Sequence, residues 1–76
     1  MNEEITQLTK KIIDYFVEDA LKNANTYQEA IDYLDRKRAA LRKEPDTPVT
    51  NVGTGLVIEA MIQLKKEALQ LPLKNN

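Results

Sequence analysis

The stretch Gly55–Leu71, GLVIEAMIQLKKEALQL, sets the terms for the rest of the chain. Leu56, Val57, Ile58, Ala60, Met61, Ile62, Leu64, Ala68, Leu69 and Leu71 would wrap well over half of a helix circumference, while Glu59, Gln63, Lys66, Glu67 and Gln70 mark its wet side. A helix that is apolar around so much of its girth must be covered by something. The rest of the 76 residues is therefore judged by how much cover it supplies.

Upstream, the pattern predicts a first helix over about residues 3–23. Ile5, Leu8, Ile12, Phe16 and Ala20 recur at steps of three or four, and Ile13, Val17, Leu21 and Ala24 widen that stripe along its flank. Glu3 and Glu4 suit the amino end of a helix dipole, and Asn23-Ala24-Asn25 suits its stop. A second helix is expected over residues 27–44. Thr26-Tyr27-Gln28-Glu29 fits the capping box, in which Thr26 accepts from the Glu29 amide and the Glu29 carboxylate reaches back to the Thr26 amide. Tyr27, Ile31, Leu34, Arg38 and Leu41 then step by four and three residues, a narrow seam that Pro45 ends. Glu18/Lys22 and Asp32/Arg36 stand at the spacing of helical ion pairs.

Pro45–Thr54, PDTPVTNVGT, reads as a long loop because it gathers two prolines, small polar residues and a glycine. Thr54 is then the expected cap of the third helix, over residues 55–71. Pro72 would stop that helix and Leu73–Asn76 would form a frayed tail. No segment alternates long enough to be a strand. The expected fold is all-α: one domain spanning residues 1–76, a three-helix bundle completed by dimerisation.

Composition removes several functions. The chain has no cysteine and no histidine, which excludes disulfides, thiolate metal sites, a cysteine nucleophile and the commonest general base. Serine is also missing. A net charge of −1 gives no overall positive field for nucleic acid or anionic membrane. The start, MNEEITQLTKK, has no apolar core of a signal peptide, and no run approaches the roughly 20 apolar residues of a membrane span. A cytoplasmic location without membrane contact is the expectation.

Five features bear on chemistry. Arg36, Lys37, Arg38, Arg42 and Lys43 crowd the end of helix 2; Arg36, Arg38, Arg42 and Lys43 are the candidate phosphate contacts. Neighbouring Asp32, Asp35, Glu44 and Asp46 dilute that patch, and the cations equally complement the helix dipole. Gly53-Thr54-Gly55 could open an anion site at a helix start, but a flexible helix entry explains it better. Asp14/Glu18 and Asp32/Asp35 share helical faces, where solvated charge is the better reading than a divalent ion. Tyr27 belongs to the helix 2 seam, whereas Tyr15 and Tyr33 lie off the main stripes. The fifth feature is the surplus apolar surface of helix 3, with Leu56, Ile58, Met61, Ile62 and Leu69 as interface candidates.

The expected function follows from that surplus: a small non-catalytic interaction module, homodimeric, using helix 3 as its face and needing no metal or cofactor. The alternative is a nucleic-acid-binding protein contacting phosphates through Arg36–Lys43. An enzyme is disfavoured because no acid–base or nucleophile constellation is present. Length and helical content are of the kind seen in small bacterial or phage accessory proteins, without a motif that ties the chain to one family.

Overall fold

A computed structural model describes residues 2–70, which form three helices: α1 (Asn2–Lys22), α2 (Tyr27–Arg42) and α3 (Pro48–Leu69). The predicted helix end at Leu71, the Pro72 stop and the Leu73–Asn76 tail lie outside the described residues.

α1 carries Glu3 and Glu4 in its first turn and Lys22 in its last, each complementing the dipole end it occupies. α2 starts at the expected cap. Thr26 is extended (φ −136°, ψ 162°) and its hydroxyl accepts from the Glu29 amide at 3.1 Å. The Glu29 carboxylate, however, reaches one residue beyond Thr26 and accepts from the Asn25 amide at 2.8 Å. That carboxylate therefore ties down the link between α1 and α2 as well as the helix start.

The long loop expected over Pro45–Thr54 does not form, and Thr54 is not a cap. α3 begins at Pro48, capped by Thr47 in extended geometry (φ −122°, ψ 162°). The Thr47 hydroxyl accepts from the Thr50 amide at 3.2 Å, and the Thr50 hydroxyl accepts from the Thr47 amide at 3.0 Å. Thr50 thus fills the reciprocal role usually given to Glu or Gln. Pro48, at the first helical position, lacks only an amide that would have no helical partner there, and its fixed φ favours the helix. These local terms outweigh the poor helix propensity of Val49, Thr50, Val52 and the two glycines. Thr47→Ala is expected to lower stability by about 1 kcal/mol, measured by urea unfolding.

The short links turn the chain back on itself twice. Contacts along α1 and α2 run in opposite senses, from Asn23–Tyr33 through Asp19–Lys37 to Phe16 beside Leu41. Leu41 in turn lies beside Gly53, so α2 and α3 are antiparallel as well. α3 packs most extensively against α2. Among the described residues the buried core is Val17, Ala20, Ala30, Leu34, Val57, Ala60 and Leu64. Each helix contributes one alanine, which lets the backbones approach closely but gives little apolar volume. Ile13, Phe16, Ala24, Tyr27, Ile31, Tyr33, Leu41 and Met61 pack around this centre.

The body is elongated, 47 × 32 × 17 Å, with a radius of gyration of 13.8 Å. A compact globule of this length would have about 11 Å. The apolar residues of α1 that pack onto the core begin at Ile13. The core face of α1 is Ile13, Val17, Ala20 and Ala24; the upstream residues Ile5, Leu8 and Ile12 of the expected stripe stay in water.

Candidate functional site

Among the described residues, α1 and α3 each leave apolar surface uncovered. On α1, Ile5, Leu8 and Ile12 are 59%, 61% and 43% exposed, and Tyr15 continues their line at 65%. Every residue from Glu3 to Leu8 and from Lys10 to Ile12 is exposed. Ile12 and Phe16 are neighbours one turn apart, so this stripe leads into an open groove of ≈ 520 Å³. Phe16, Ala40, Leu41 and Val57 give the groove its apolar lining, and Lys37, Glu44 and Thr50 also line it.

On α3 the five interface candidates divide. Met61 packs against the core and Leu56 is half-buried. Ile58 and Ile62 keep roughly two-fifths of their surface in water (39% and 40%), and Leu69 is 85% exposed. Steps of four and seven residues place Ile58, Ile62 and Leu69 along one flank of the helix. Val49 and Val52, in the turns that had been expected as loop, are exposed too. An exposed apolar stripe therefore lies on α1 as well, where the spacing alone suggested buried core.

A polar clasp fixes α1 against α2. The Tyr33 hydroxyl donates to Asp19 Oδ2 at 2.9 Å. Lys37 Nζ lies 3.9 Å from the same oxygen and 5.0 Å from the Tyr33 ring centroid, so one cation serves both the carboxylate and the ring face. Asn23 Nδ2 donates to the Asp19 carbonyl at 2.8 Å. Tyr33 thus has a structural task that its position off the main stripe did not reveal. Tyr27 packs on the core as expected, while Tyr15 meets Phe16 edge-on with ring centroids 5.8 Å apart.

The clasp also reduces the basic cluster. Lys37 is drawn to Asp19, and Arg38 to Asp35 at 2.6 Å. Arg36, Arg42 and Lys43 are exposed. Those two ion pairs are the ones formed among the described residues; the expected Glu18/Lys22 and Asp32/Arg36 pairs are not made. Asp32 accepts instead from Gln28, one turn earlier, at 3.0 Å. Exposed pairs of long side chains gain too little to be held in one geometry.

Gly53-Thr54-Gly55 lies inside α3, in its second turn, so it offers no free helix-start amides. The Thr54 hydroxyl donates to the Thr50 carbonyl at 2.9 Å. No group of three or more acidic side chains gathers at metal-binding spacing among the described residues. No helix among them is long and apolar enough to cross a membrane. Compared with known proteins, the chain matches no family model, no curated sequence and no solved structure.

Proposed function

We propose that this chain is a non-catalytic helical interaction module that works as a homodimer through its uncovered apolar faces. The observation that supports it is the mismatch between core and surface. A core built largely from alanine, valine and two leucines accompanies fully developed isoleucine and leucine stripes left in water. Small domains usually need added support for stability, and association is one way to supply it. A monomeric protein rarely exposes large contiguous apolar patches without a use for them.

The flank Ile58–Ile62–Leu69 of α3 and the stripe Ile5–Leu8–Ile12 of α1 are the two surfaces available for this role. Binding of nucleic acid through Arg36–Lys43 ranks lower, because Lys37 and Arg38 are engaged by Asp19 and Asp35. The dimer reading is tested by the solution mass: it requires roughly twice the 8.7 kDa of one chain. A single-chain mass at every concentration would remove it.

A further inference from the structure

We draw no further inference here: the strongest candidate, the exposed apolar stripe Ile5–Leu8–Ile12–Tyr15 on α1 with the open groove it leads into beside Phe16, Leu41 and Val57, carries nothing because nothing in the structure shows what covers it.

Discussion

Leu34→Ala is expected to remove most of the stability of this domain. Leu34 has no exposed surface and sits with Ala30, Val57, Ala60 and Leu64 where α2 meets α3. Removing its branched end loses the transfer free energy of the deleted atoms and leaves a cavity, at a cost of about 2–5 kcal/mol. The flanking alanines have no side chain long enough to swing into the space, so the upper part of that range applies. A domain of this length has a total stability of about 4–11 kcal/mol. Urea unfolding followed by far-ultraviolet circular dichroism should show a midpoint displaced to low denaturant, or a chain already unfolded without it. A loss below about 1 kcal/mol would mean that Leu34 is not central to the core.

The second large effect has the opposite sign. Gly53 and Gly55 lie in the interior of α3, and neither has a positive φ. A Cβ built on Gly53 would meet Leu41 Cδ1 at 3.7 Å, an ordinary van der Waals contact, and one on Gly55 would meet nothing within 4 Å. Glycine in a helix interior costs about 0.5–1 kcal/mol relative to alanine, mainly by enlarging the entropy of the unfolded chain. Gly53→Ala with Gly55→Ala should therefore stabilise the protein by about 1–2 kcal/mol and raise its melting temperature by roughly 5–15 °C. The single substitutions should contribute in similar measure. Were Gly53 in a loop ending at Thr54 and Gly55 the first residue of the helix, as the composition suggests, the double variant would gain little or lose stability. The experiment therefore also checks where α3 begins.

That boundary shows what the chain discloses locally and what it withholds. α2 was legible because Thr26 and Glu29 announce a cap at standard spacing. The start of α3 was hidden because its cap uses Thr50 where Glu is usual, and because Val49, Val52, Gly53 and Gly55 all argue against a helix. Thr47-Pro48 was the available signal: a capping residue directly before proline at the first helical position. The number of helices and the short link between α1 and α2 were readable from periodicity and punctuation, whereas the link between α2 and α3 was expected as a long loop.

The uncovered surface was less legible, for a geometric reason. α1 carries two overlapping apolar lines, Ile5–Leu8–Ile12 and Ile13–Val17–Ala20–Ala24. Spacing cannot say which one is buried. The choice is made by where α2 and α3 lie: Phe16 shares a groove with Leu41 of α2 and Val57 of α3, Ile13 shares one with Ile62 of α3, and the apolar residues of α1 that pack on the core begin at Ile13. The surplus expected on helix 3 is present at Ile58, Ile62 and Leu69, but a second one lies on a helix that had been counted as cover. Tyr33 and Lys37 were obscure for a related reason. Their partner, Asp19, lies on another helix and becomes visible only once α1 and α2 are docked.

The account stands on the claim that a second copy covers what one chain leaves open. A small apolar face makes a modest interface, so the solution mass should be followed by light scattering over a dilution series from about 5 to 500 µM. The mass should rise toward twice 8.7 kDa as concentration increases, and fall back toward one chain on dilution. A mass that stays at 8.7 kDa across the whole series would contradict the claim.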